Sequence, residues 1–392
     1  MLDDDMTIRS AIVIGGGIAG LATAAVLGRT GASVTVLEQA DALLEVGAGL
    51  QISPNGLVVL RALGLEADLK SCGSVRANAV SLRDYRRAGE VARLDMARLA
   101  PDQHYYFVHR ADLLDALKGA ARRAGVEIVL GARVTDVVPG DLPEVRLSDG
   151  TSRRAELIVA ADGVHSVARG VLNPQSSAFF TKQVAWRAVV PNIIDQSPEA
   201  RVYMAPGQHI VSYPIRGSAF LNLVAVEERD DWSDEGWNHA GDPSELRNRF
   251  SQFEGPAAQV LNAVTDVSVW GLFRHPVAQV WGQKGVVLVG DAAHPTLPFL
   301  AQGANMALED AWALGRSLMA HSGDAALTSY ENIRRARVSR VIKTANGNAW
   351  RYHLRHGPVR FGAHTVMRLG SRFAPSLMIK PFDWLYRYDV TD

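Results

Sequence analysis

The feature that most constrains this chain is an uncharged run of 19 residues, Ser10 to Gly28, interrupted by Gly15, Gly16, Gly17 and Gly20. A run of that length suits a membrane span or a signal peptide. The glycine spacing argues against both, as do Asp3, Asp4 and Asp5 ahead of the run, where a signal sequence carries basic residues. Ser10–Ile14 (SAIVI) reads instead as a short buried parallel strand, Leu21 to Arg29 as a helix, and Ser33–Leu37 (SVTVL) as a second strand ending at Glu38. Gly15, Gly17 and Gly20 fit G-x-G-x-x-G, and Glu38 follows the last of them by 18 positions. Gly15 permits the tight turn, Gly17 lets backbone approach a pyrophosphate, and Gly20 lets helix and strand pack closely. Helix N-terminal amides attract phosphates, and the Glu38 carboxylate can accept from a ribose diol. Bare glycines could belong to a structural loop; strand, glycines, helix, strand and terminal acid together predict a dinucleotide site.

The chain has 392 residues, enough for two domains or one large domain with an inserted layer. With 47% apolar and 21% charged residues it can bury a core, which excludes wholesale disorder. Its 41 basic and 41 acidic side chains cancel, removing the basic excess expected of a nucleic-acid binder. Cys72 is the only cysteine, so a disulfide framework and a Cys-based metal site are excluded, and no metal is expected. The neutral sum is uneven: from Glu331 to Asp392 there are 12 Lys or Arg against 4 Asp or Glu, giving the tail +8 and the rest −8. That tail is expected to pack across the body or against a second subunit of a homodimer. With no other membrane-length segment and no export signal, a soluble cytoplasmic protein is expected.

Beyond the first βαβ unit, GAGLQISPNG (Gly47–Gly56) is a turn-rich loop before a helix near Leu57–Leu63. A helix opens at His109-Arg110, and strands are expected at Glu127–Leu130, Arg133–Val138 and Glu156–Ala161. From about Gln183 to Ser268 alternating segments (VAWRAVV, RVYMA, HIVSY, FLNLVAV) predict an antiparallel sheet, interrupted by one helix near Pro243–Val264. Buried-strand character returns at Gly285–Val289. The nucleotide-binding layer is thus discontinuous, with a substrate layer inserted.

GGGIAG with Glu38, the run ADGVHS (Ala161–Ser166) and GDAAHP (Gly290–Pro295) stand in the order found in single-component flavin-dependent aromatic hydroxylases. The chain resembles that family over essentially its whole length. HPTLPFLAQGANMALEDA and the ending Trp384 to Asp389 are similar to the branch containing salicylate, 3-hydroxybenzoate and 6-hydroxynicotinate hydroxylases. The resemblance implies an α/β fold of the para-hydroxybenzoate hydroxylase type: a Rossmann-like FAD-binding domain, an inserted mainly antiparallel substrate sheet and a helical C-terminus. The expected divisions are 1–175 and 276–330 for the FAD domain, 176–275 with segments of 70–110 for the sheet, and 331–392 for the tail.

The same resemblance implies FAD as cofactor, with NADH or NADPH as a transient co-substrate. Asp291 would bind ribityl hydroxyls; capping the next turn is the other reading. Gly303, Ala304 and Asn305 would bring helix-start amides to the flavin pyrimidine ring. Arg110 would reach the phosphate or ribose region, or stand as a surface helix residue; Asp162 would lie near the pyrophosphate, or form a plain strand-end turn. Gln39, Gln51 and Val134 complete the expected FAD contacts. His294 is expected to order its loop. The absence of a second G-x-G-x-x-G agrees with transient binding of NAD(P)H.

In Gln208–Pro214 alternation puts His209, Val211 and Tyr213 on one face, with His209 and Tyr213 roughly 13 Å apart. The pair is similar to one serving phenol activation and substrate binding in the branch; a hydrogen-bonded strand histidine and a core tyrosine are the bland readings. A neutral imidazole can draw a proton from a phenol. Pro298 and Phe299 are expected in the substrate pocket, and Phe299 with Gln51 suggests a more apolar site than a pyridine needs. Arg187 either meets a substrate carboxylate or faces solvent. Trp232, Trp237 and His239 carry no assignment.

The activity so implied is hydroxylation of a small phenolic or heteroaromatic acid, of salicylate, hydroxybenzoate or hydroxynicotinate type, with O2 through a flavin C4a-hydroperoxide. The alternatives are the same chemistry on a larger polyketide, alkaloid or quinone precursor, and a flavin-binding protein without turnover.

Overall fold

The computed structural model describes residues 8–43, 49–86, 88–175, 177–232 and 239–392, excluding the side chains of 348–351. Asp3–Asp5, the start of the loop at Gly47 and Trp237 lie outside them. Five parallel strands form the central sheet in the order Val286–Leu288, Leu157–Ala160, Ser10–Ile14, Ser33–Leu37, Glu127–Val129, with Gly282–Gln283 antiparallel at one edge. Leu157–Ala160 and Val286–Leu288 are buried at every residue, as parallel strands covered on both faces must be. Helices Ile18–Gly28 and Gly303–Ala320 pack closely on each other: a methyl at Gly315 would meet Val26 Cγ1 at 2.3 Å.

The inserted layer is an eight-stranded sheet in the order His239–Gly241, Val267–Arg274, Phe179–Pro191, Phe220–Glu228, Gln208–Ile215, Glu199–Ala205, Ala79–Asp84, Glu90–Asp95. Its pairings are antiparallel except that between Glu199–Ala205 and Ala79–Asp84. Period-2 alternation gives the sheet two faces. Tyr203, Ile210, Leu223 and Ala225 join Trp186, Phe250 and Phe253 in a satellite core. Their neighbours in sequence, among them Val202, His209, Val211 and Val224, face a cavity against the other layer.

The single helix expected near Pro243–Val264 is two, Pro243–Arg249 and Pro256–Asn262. Gly255 adopts φ +60 and Pro256 disfavours a helical residue before it, so the chain must restart there. The expected helix near Leu57–Leu63 begins earlier, with Pro54 in its first turn and an end at Ala62.

The basic tail lies on the body. Helix Gly323–Tyr352 is followed by Gly357–Phe373, Ser376–Ile379 and Asp383–Tyr386. Arg337 stacks 3.7 Å from the Tyr388 ring and Arg340 3.9 Å from Trp384, so part of the positive charge is held against aromatic faces. Among the described residues no helix is long and apolar enough to cross a membrane.

Candidate active site

The two layers meet around a cavity of about 360 Å³. One wall is the glycine loop. Gly15 sits at φ +99, and a Cβ on Gly20 would lie 1.9 Å from the Gly15 carbonyl oxygen, so the strand-to-helix turn closes only with hydrogen there. Gly17 differs: nothing lies within 4 Å of the place its Cβ would take. Gly17, Ile18 and Ala19 border the cavity with the amide-rich helix start, a site for an anion. The Glu38 carboxylate spans the loop, accepting from the Gly16 amide at 2.6 Å and the Ala40 amide at 2.9 Å.

Arg110, the first residue of helix Arg110–Arg123, lines the same cavity, as does Asp291 on the turn after Val286–Leu288. Asp291 is open to the cavity yet otherwise enclosed by protein. That enclosure pushes its carboxyl up, while His294 and Arg110 pull it back. Asp162 accepts from the Val167 amide at 2.8 Å through Oδ2, and its buried Oδ1 has no partner among the described residues. Burial raises this carboxyl as well, against hydrogen bonds from Ser166 and nearby amides.

Gly303 and Ala304 present the start of helix Gly303–Ala320 to the cavity. The helix is anchored from below by a buried charge cluster. Arg334 donates to Asp310 at 2.7 Å and to Glu309 at 2.5 Å, Arg337 donates to Glu309 at 2.8 Å, and His294 Nε2 lies 2.6 Å from Asp310. Asp310 also accepts from the Gly290 amide at 2.9 Å, tying the helix to the Asp291 turn. Burial by itself would raise the Asp310 carboxyl; His294 and Arg334 overcome it and hold it at about 2. Asn305 staples the opposite side, with Oδ1 accepting from the Ser53 amide and Nδ2 donating to the Gln51 carbonyl.

The facing wall is the sheet. His209, Val211 and Tyr213 all line the cavity, with Ala200, Val202 and Val224 around them. Phe299 packs 5.7 Å from the His209 ring, and Phe107 5.0 Å from that of Tyr213. Burial, with His353 alongside, pulls the His209 imidazole well below its ordinary value, so it is neutral at neutral pH. Burial pushes the Tyr213 phenol up against the pull of Arg187, so Tyr213 keeps its proton. Arg187 points into the site, not to solvent: it lines the cavity and stacks 4.8 Å from Trp270. Gln51 also lines the cavity and accepts from the Tyr105 hydroxyl at 2.7 Å.

The structure therefore gathers Gly17, Gln51, Arg110, Asp291, Gly303, Ala304, Arg187, His209, Val211, Tyr213, Pro298 and Phe299 around one space. Gly15, Gly20, Asp162 and Asn305 shape it from behind. Gln39 is exposed beyond Glu38, and Val134 is buried in the main core, paired with Leu147, so neither is brought to the cavity wall. Trp232 and His239 pack on each other away from it. Sequence reasoning missed Tyr352, Phe382 and Tyr386, which line the cavity from the tail. It also missed His353, whose Nε2 lies 2.7 Å from His209 Nδ1.

A family model described as an FAD binding domain matches residues 9–345. The 3-amino-4-hydroxybenzoate 2-monooxygenase of Streptomyces cremeus is 35% identical over 367 residues, covering 91% of this chain and 90% of the relative. The chain belongs to the FAD-dependent aromatic hydroxylases. The 6-hydroxynicotinate 3-monooxygenase of Bordetella bronchiseptica is 32% identical, over 86% of this hydroxylase and 91% of its own length. A salicylate hydroxylase substrate complex shares the fold, with a TM-score of 0.81 at 23% identity, covering 99% and 97% of the two chains. This hydroxylase is thus a flavin-dependent monooxygenase that binds FAD. Its own geometry fits the cofactor: a glycine loop open at Gly17, helix-start amides at Gly303 and Ala304, and Asp291 and Arg110 line the cavity, with the unpartnered Asp162 oxygen buried behind it.

Proposed function

We propose that this monooxygenase hydroxylates a small phenolic or heteroaromatic acid, with NADH or NADPH as transient reductant and O2 as co-substrate. The observation that carries the reading is the sheet wall: His209, Tyr213 and Arg187 stand on an otherwise apolar face, opposite the helix start at Gly303 and Ala304. Bound FAD supplies the redox and oxygen-activating chemistry. Amides at Gly17 to Ala19 would hold its pyrophosphate, Glu38 a ribose, Asp291 the ribityl chain, and Gly303 and Ala304 the negative end of the flavin ring. Arg110 and Asp162 would support the phosphate region.

His209 takes the proton of the substrate hydroxyl, leaving an electron-rich ring. Tyr213, kept protonated, donates to a substrate oxygen. Arg187 meets the carboxylate, and Val211, Pro298 and Phe299 fix the plane of the ring. Tyr352, Phe382 and Tyr386 add aromatic surface to the cavity from the tail, which suits a flat aromatic ring.

The relatives from Streptomyces are named for 3-amino-4-hydroxybenzoate, and that compound heads the test panel, with hydroxybenzoates, salicylate and hydroxynicotinates. NADH and NADPH oxidation, hydrogen peroxide and hydroxylated product are measured together. Product from at least one acid, with little peroxide, is expected. A panel in which no acid accelerates nucleotide oxidation or yields product overturns the reading.

A further inference from the structure

His209 is the inner end of a hydrogen-bonded line that leaves the cavity. Its Nδ1 lies 2.7 Å from His353 Nε2, and His353 Nδ1 lies 3.1 Å from Glu228 Oε1. The other Glu228 oxygen accepts from Arg355 Nε at 3.0 Å. His209 and His353 are 2% and 4% exposed, whereas the Arg355 side chain is 66% exposed. Two hydrogen bonds therefore connect the cavity wall to a carboxylate at the surface. The Gly207 amide donates to the His353 carbonyl, tying this segment to the turn before the His209 strand.

Each contact can hold one proton, which orders the line. Glu228, paired with Arg355, is an acceptor, so His353 carries its proton on Nδ1. A neutral His353 then accepts at Nε2, so His209 carries its proton on Nδ1 and leaves the Nε2 lone pair to the cavity. Resting on the reading of His209 as the substrate base, we propose that Glu228 and His353 set the tautomer of His209 and conduct the substrate proton to the surface. His353 is a positioning residue in this scheme.

The transfer balances without any change of oxidation state. The substrate O–H bond breaks and its proton joins His209 Nε2. The Nδ1 proton of His209 passes to His353 Nε2, and that of His353 Nδ1 to Glu228, which releases it to water beside Arg355. Both rings end neutral in the opposite tautomer, and delivery of a proton back to the product oxygen restores them. Burial makes a lasting charge on His209 costly, which favours passing the proton on over storing it. Among the described residues, Glu228 and Arg355 are the charged groups against the pair. Tyr352 lies 5.3 Å from the His209 ring and Phe299 adds no charge.

The test uses the FAD-loaded full chain with 15N-labelled histidine, the ring signals assigned through His209→Gln and His353→Gln. At neutral pH both rings should be neutral with the proton on Nδ1, and Glu228→Gln should shift His209 toward a mixture. A His209 ring protonated on Nε2 in the wild type overturns the proposal. In turnover, His353→Gln should lower kcat for 3-amino-4-hydroxybenzoate ~10-fold or more. KM and FAD content should hold, and a fluorinated 4-hydroxybenzoate already ionised at the assay pH should be nearly unaffected. Equal loss on both compounds overturns the proposal too. Should the wild type turn over neither, the functional reading fails and the ring tautomers decide the proton line by themselves.

Discussion

Two polar clusters flank the cavity and are built on opposite plans. Beneath helix Gly303–Ala320, Glu309 and Asp310 are fully buried, and each is matched by more than one donor from Arg334, Arg337, His294 or Asn55. Behind the substrate wall, His209, His353 and Glu228 form a single file, each link one proton wide, with its outer end in solvent. The first arrangement holds charge still and positions the helix start; the second leaves a route along which charge can move. A buried ion cluster that is fully compensated is costly to disturb, whereas a thin line can be cut without loss of fold.

The largest effect that would break the comparison is expected from Arg334→Met. It leaves Glu309 and Asp310 short of a counter-ion inside the core, and a loss of about 3–5 kcal/mol is expected from removing one partner of a buried pair. Urea unfolding measures it; a change under about 1 kcal/mol would show that the cluster is not the anchor argued here. Acid probes the same cluster with a defined sign. The folded Asp310 value of about 2 lies below its ordinary 3.8, so its contribution to stability is present above 3.8 and fades as pH falls toward 2. Glu309, also held low by Arg334 and Arg337 against its burial, acts in the same direction.

Cutting the other cluster at its inner end should leave the fold alone. His209→Ala is expected to lower kcat for hydroxylation about 100-fold, with flavin absorbance of the purified protein unchanged. Wild-type rates in this variant would remove His209 from the mechanism. Loss of flavin would mean that the sheet wall supports the cofactor side, erasing the distinction between the two regions.

The difference between the clusters also governed what could be read without coordinates. The glycine loop was legible in contiguous spacing, whereas Asp291 and the helix start at Gly303 were picked out by the family resemblance of the runs that hold them, and the structure brings both to the cavity with Gly17. His209, Val211 and Tyr213 fell on one face because strand alternation is local. His353 was not legible: its partner is 144 residues away, and nothing in the tail's composition distinguishes one histidine there from another. Tyr352, Phe382 and Tyr386 were hidden in the same way, since tail aromatics reach the cavity only through tertiary packing. The acid pair Glu309-Asp310 did carry a signal, two adjacent carboxylates in a mostly apolar helix with Arg334 and Arg337 on the next one. Gly255-Pro256 likewise marked the helix break that pattern-reading passed over.

The smallest expected effect separates preformed architecture from cofactor contact on the flavin side. A methyl at Gly20 would strike the Gly15 carbonyl, so any change there mixes folding with binding. Gly17 has φ −76 and open space where its Cβ would go, so Gly17→Ala should fold with an unchanged apo-protein Tm. The added methyl would stand where the pyrophosphate must approach the backbone, and FAD affinity should fall roughly 10-fold, about 1.4 kcal/mol. Quenching of flavin fluorescence on titration gives the affinity, and calorimetry of the apo-protein gives the control. Unchanged affinity would place the pyrophosphate elsewhere along the cavity, whereas a lowered apo Tm would mean that the helix start, like the Arg334 cluster, belongs to the part of the molecule that tolerates no change.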